Sequence, residues 1–132
     1  MIDIEKQIYT PIAEKIREQF NADVCSSYQK IPSSFPHVSI VEQDNYINKN
    51  HFDSGDVEKF ATLMYEVNVY SNKGVNKKSE CRAIIDVIDR YFVARNFRRL
   101  SMTPVPNLED ATIYRITARY TCETDGTNIF RR

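Results

Sequence analysis

The chain has 132 residues and a mass of 15.4 kDa, which suits one domain and is too short for two independent cores. Hydrophobic residues make up 42% and charged residues 27%, the mixture usual for soluble globular domains. Its 18 Lys plus Arg balance 18 Asp plus Glu, which argues against binding to nucleic acid or anionic membrane driven by bulk charge. Zero net charge also removes self-repulsion from any self-associating surface.

Only 3 glycines are present, so Gly-rich phosphate loops are excluded. Cys25, Cys81 and Cys122 are odd in number and widely spaced. They read as small core or half-buried residues made in a reducing cytoplasm, and form neither a disulfide framework nor a zinc-ligand series. The N-terminus MIDIEKQIYT is acidic and amphipathic, unlike a secretory signal. No apolar run approaches the roughly 20 residues of a membrane span.

Ile4, Ile8, Ile12, Ile16 and Phe20 recur every fourth residue, which predicts an amphipathic helix over 3–20. Asp3 is its expected cap and Asn21 its left-handed stop. Pro11 cannot donate to the Gln7 carbonyl, so the helix is expected to bend there. Val24–Gln29 reads as a short strand, IPSSFP as punctuation, and His37–Asp44 as a second strand. The polar stretch 45–59 has almost no pattern; a segment of that length inside a compact domain is commonly functional or disordered. Ala61–Ser71 is the clearest strand, with Leu63, Tyr65, Val67 and Val69 on its apolar face.

A turn at 71–76 leads into a second helix over 77–95. Cys81, Ile84, Ile85, Ile88, Tyr91 and Phe92 share its apolar face, and Asn96 is its stop. Phe97–Thr103 is the fourth strand and Ala111–Cys122 the fifth, with Tyr114, Ile116, Ala118 and Tyr120 inward. Residues 123–132 read as a tail. The expected fold is a single α+β domain over 1–132. One four- to five-stranded sheet, mixed or mainly antiparallel, carries two helices on one face. Strand 61–71, helix and strand 97–103 fit either a split βαβ or a hairpin-like return.

Catalytic, cofactor and metal residues are expected to be absent. His37 and His51 read as surface or turn histidines. Asp53, Asp56 and Glu58 read as solvated loop charge, and Asp86 and Asp89 as outer-face helix charges. Arg115 and Arg119 face Glu66 and Asn68 across strands, which predicts ion pairing rather than phosphate contact.

The phrases FATLMYEVNVYSNK, the helix start KKSEC and PVPNLEDATIYRITARY resemble the tail-completion or tail-terminator proteins of long-tailed phages, prophages and tail-like bacteriocin particles. Pro36, Val38 and Ile40 form a P-x-V-x-I strand, and Pro106 to Arg115 a P-N-L-x-D-A-T-I-Y-R closing phrase. The likeness covers about residues 2–122. It implies a subunit like the lambda tail terminator, made in the bacterial cytoplasm, that closes into a six-membered ring on the tail tube. Such a ring stops tube growth and offers a surface to the head connector or collar protein. The implied partners are other copies of the chain, the tube protein and the connector, with nucleic acid at most passing through the lumen, and no membrane or cofactor. A head-completion or head–tail joining protein is the nearest alternative, and a ferredoxin-like enzyme or ligand-binding domain the distant one.

A cyclic ring needs two different patches per subunit. One expected patch is the sheet face bearing Met64, Ile113, Arg115 and Arg119. The other is the 45–59 segment with Tyr46, Asn48, Lys49, His51 and Phe52, expected to be mobile alone and ordered on docking. Asn107, Asp110 and Arg115 are expected to fix the closing turn and sheet.

Overall fold

The computed structural model describes residues 3–27, 32, 34–47, 61–105, 112–125 and 129–130, with Ile47 and Phe130 described by backbone only. Helices α1 (Glu5–Phe20) and α2 (Lys77–Ala94) pack against a mixed sheet. Its strands are β1 (Asp23–Cys25), β2 (His37–Ile47), β3 (Ala61–Ser71), β4 (Arg98–Pro104), β5 (Tyr114–Thr124) and β6 (Ile129–Phe130). The order across the sheet is β1-β2-β3-β5-β4. Only β1 and β2 are parallel; every other pair is antiparallel. Strand β6 pairs with Glu123 and Thr124 of β5, extending the edge that β4 begins.

Helix α1 continues through Pro11. Pro11 has no N–H for the Gln7 carbonyl, and a neighbouring element meets that region instead. The Tyr91 hydroxyl of α2 lies 2.9 Å from the Ile8 carbonyl oxygen and 3.5 Å from that of Gln7. Asp3 accepts the Glu5 N–H at 3.1 Å, and Asn21 ends the helix at φ 53°, as its residue type allows. Asn96 ends α2 similarly, at φ 67°. Gly74 takes φ 63° in the 3-10 turn Gly74–Asn76 that leads into α2.

The core lies between sheet and helices. Ile8, Ile12, Ala13 and Ile16 of α1 and Cys81, Ile84, Ile85, Ile88 and Phe92 of α2 are buried. Alternation along the strands sends Leu63, Tyr65, Val67 and Val69, with Ile116, Ala118, Tyr120 and Cys122, to meet them. Phe92 stacks on Tyr120 at 4.5 Å and meets Phe97 edge-on at 4.9 Å; each such pair adds about 0.5–1.5 kcal/mol beyond area burial. Burial pushes the Cys81 and Cys122 thiols up to about 12, so both act as neutral packing groups. No helix among the described residues is long and apolar enough to cross a membrane.

Strand β3, α2 and β4 form a split βαβ unit, since β3 and β4 run the same way with β5 between them. Several expected boundaries shift. Strand β1 is shorter than Val24–Gln29. Strand β2 runs on through Asn45, Tyr46 and Ile47, which the sequence assigns to a loop, because β3 offers Leu63, Thr62 and Ala61 as partners. The expected tail instead contributes Glu123 and Thr124 to β5 and the short strand β6.

Candidate functional site

The face of the sheet turned away from the helices divides into two halves. Strand registers run in rows across it, and the first row is Asp23, His37, Tyr70 and Arg115. The next row on that face is Cys25, Ser39, Asn68, Thr117 and Thr103. His37, Ser39, Asn68, Tyr70 and Thr117 in these rows are buried. The centre of this half is closed even though both helices lie on the other side, while Asp23 and Thr103 at its ends are exposed.

Burial demands partners for polar groups, and most are present. Asn68 Oδ1 accepts from Arg115 Nε at 2.9 Å and from Thr117 Oγ1 at 2.7 Å. Its amide donates to Glu66 at 3.1 Å. The Arg115 guanidinium lies 5.7 Å from the centre of the Tyr70 ring, and that ring lies 5.7 Å from the His37 ring. Ser39 Oγ is the exception among the described residues, buried without a hydrogen-bond partner.

His37 is buried rather than a surface or turn residue, because β1 packs alongside the start of β2. Its Nδ1 is 3.0 Å from Asp23 Oδ2 and its Nε2 is 3.4 Å from Cys25 Sγ. A neutral imidazole whose Nδ1–H donates to a carboxylate presents Nε2 as an acceptor. The thiol also lies 3.0 Å from the Ser27 carbonyl. No sequence spacing announces this Cys–His–Asp cluster, since parallel pairing of two distant segments creates it. Its visible work is to tie β1 to β2.

The second half of the face is exposed. One row there is Asp44, Met64, Thr121 and Arg98, with Tyr46 beside Thr62 at the far end of β2. Tyr46 is 51% and Leu100 44% exposed, and Met64 is half-buried. Gln43, Asp44, Met64, Leu100, Ser101 and Arg119 surround a shallow depression. Arg119 Nε donates to Glu66 Oε2 at 3.1 Å, the cross-strand pair expected from sequence. Burial tends to raise the Glu66 carboxyl, but hydrogen bonds from Asn68 and Arg119 and the nearby guanidinium charges outweigh it and hold the pKa below the usual value. Glu66 is therefore the hinge between the halves, bonded to Asn68 on one side and to Arg119 on the other.

Of the expected interface residues, Tyr46, Met64 and Arg119 fall on the exposed half. Arg115 lies in the buried half and spends its guanidinium on Asn68. Ile113, expected on the open face, is instead buried. Asn48, Lys49, His51 and Phe52, with Asp53, Asp56 and Glu58, lie outside the described residues, as do Asn107 and Asp110. Asp89 also departs from expectation. It faces the sheet, accepting from Tyr120 Oη at 2.8 Å and pairing with Arg99 at 3.3 Å, whereas Asp86 pairs with Arg90 on the helix surface at 3.0 Å.

A cleft of about 210 Å³ runs between α2 and β4, lined in part by Arg82, Asp86, Asp89 and Arg99. That is smaller than the roughly 300–1,000 Å³ of common ligand sites, and Asp89 and Arg99 neutralise each other within it. Compared with known proteins, the chain matches no family model and no curated protein.

Proposed function

We propose that this chain is a structural subunit of a phage tail or tail-like particle, a tail terminator that assembles as a ring on the end of the tail tube. The observation that carries the reading is where the resembling phrases fall. YEVNVYSN ends β3, and TIYRITARY runs into β5, so the two phrases are the paired central strands of the sheet. They specify an architecture and not a reaction centre. The exposed half-face beside them mixes Tyr46, Met64 and Leu100 with Asp44 and Arg119, a composition suited to contact with another protein surface.

In this role the subunit joins its neighbours laterally, meets the last ring of tube protein on one side and the head connector or collar on the other. Microscopy of particles from a producing strain lacking this gene tests it. Tubes of runaway length are expected. Tails of normal length without heads would assign the chain to joining instead, and intact functional particles would overturn a virion role.

A further inference from the structure

The two long edges of the sheet are unlike, and they match each other. Strand β1 covers only His37, Ser39 and Val38 between them on the outer edge of β2. Among the described residues no strand pairs with β2 beyond that point, nor with the outer edge of β4. Exposed edges invite pairing with another chain.

Strand direction decides how two such edges can meet. Strand β2 is antiparallel to β3, β3 to β5, and β5 to β4, so β4 runs opposite to β2. Rotation about an axis along the strands preserves direction. A second copy placed that way therefore brings its β4 antiparallel to β2 of the first, and the alternation continues unbroken from copy to copy. The joint is heterologous, the kind that closes into rings.

Height and charge agree with this pairing. Asp44 and Arg98 end one row, through Met64 and Thr121. Glu42 and Arg99 end the next, through Tyr65 and Tyr120. Each row thus has an acid at the β2 edge and an arginine at the β4 edge, so copies joined at equal height set opposite charges together. Asp44 and Arg98 project from the same exposed face, and Arg98 has no ion-pair partner among the described residues. Glu42 and Arg99 are already engaged, with Tyr65 Oη at 3.1 Å and Asp89 at 3.3 Å. Edge bulges usually blunt a strand. Here β2 is irregular between Glu42 and Asp44 and β4 between Arg99 and Ser101, on opposite sides of the row that Glu42 and Arg99 end, so Ile40–Asp44 and Arg98–Met102 each carry one extra residue and stay in step overall.

We infer that the chain self-associates by antiparallel pairing of β2 residues Ile40–Asp44 in one copy with β4 residues Arg98–Met102 in the next, with Asp44 set against Arg98. This rests on the ring reading above and names its lateral contact. Disulfide trapping tests it in full-length protein carrying Cys25→Ser, since Cys81 and Cys122 are buried. Facing side chains of an antiparallel pair approach to about 4.5–5.5 Å between Cβ atoms, near enough for a bridge after small adjustment. Under mild oxidation, Asp44→Cys with Arg98→Cys in one chain is expected to give a covalent ladder ending at one size. A mixture of the two single variants is expected to give dimers and nothing longer.

Dimers from Asp44→Cys alone would mean like edges pair, and would overturn the inference. Oligomers in light scattering without a ladder would overturn edge pairing while leaving the ring reading standing. A chain that stays monomeric at millimolar concentration and forms no ladder also overturns it, and the gene-deletion microscopy then judges the ring separately. As a charge test, Asp44→Arg or Arg98→Asp should each weaken association roughly 2- to 5-fold, with the double exchange restoring it. Failure of the double exchange to restore would remove Asp44 and Arg98 from the contact.

Discussion

The two halves of the sheet face opposite the helices share strands, residue classes and hydrogen-bonding backbone, yet one is buried and the other exposed. In the buried half, Asn68 must satisfy Arg115, Thr117 and Glu66 at once, and Tyr70 fills space between His37 and Arg115. In the exposed half, Asp44 and Arg119 have water as an alternative partner. Polar groups in the first half are therefore structural, because losing a partner leaves a desolvated atom behind. Those in the second half are free to serve an external contact at small cost to the fold.

The largest test of that contrast is a pair of truncations. Tyr70→Ala removes a fully buried ring and is expected to cost about 3–5 kcal/mol. Met64→Ala, on the same strand and face, is expected to cost less than about 1 kcal/mol. Urea denaturation of both variants checks this, and equal losses would dissolve the distinction between halves. Asn68→Ala comes next. It strands the donors of Arg115 and Thr117, for an expected loss of about 1–3 kcal/mol; a loss under about 0.5 kcal/mol would show that water replaces the amide.

Glu66, between the halves, provides a pH test. Its folded pKa lies below the ordinary 4.5, so its contribution is present above that value and disappears as pH falls through the lower folded pKa. Glu42 runs the other way. Burial raises its carboxyl despite the Tyr65 hydrogen bond, so its contribution is present below 4.5 and is lost as pH rises through the raised folded pKa. Glu66→Gln should lose less than about 1 kcal/mol at neutral pH and flatten the acid-side fall in stability. Glu42→Gln should instead reduce the loss on the rising side. Stability curves measured from pH 3 to pH 7 distinguish them by sign.

Much of this fold is legible in the sequence because periodicity reports burial. The four-residue spacing from Ile4 to Phe20 and the alternation from Ala61 to Ser71 locate α1 and β3 closely, and Asn21 and Asn96 stop their helices at positive φ. Charge alternation similarly foretells the Glu66–Arg119 pair. What escapes is whatever depends on a distant segment. His37 is buried by the return of β1 alongside β2. Asp89 faces inward because Arg99 and Tyr120 meet it from β4 and β5. Residues 45–47 look like loop because their order comes from pairing with β3, and Ile113 has an apolar character that does not by itself say which face covers it. The division of one sheet face into two halves is a property of rows, which no single strand displays.

Ser39 offers the smallest and most discriminating effect. Its neighbours across the row are Cys25 and Asn68. Asn68 Oδ1 is already taken by two donors, and the Ser39 hydroxyl is buried without a partner. A hydroxyl in that state costs about 1–3 kcal/mol, offset on removal by the small void left behind. Ser39→Ala is therefore expected to raise stability by about 0.5 kcal/mol, a gain visible as a higher urea midpoint at unchanged m-value. An equivalent change in the exposed half, Ser101→Ala, should be neutral, since that half-buried hydroxyl lies within reach of solvent. A loss of 1 kcal/mol or more in Ser39→Ala would mean that the hydroxyl has a partner in solution, and that the buried half is wetter than its packing implies.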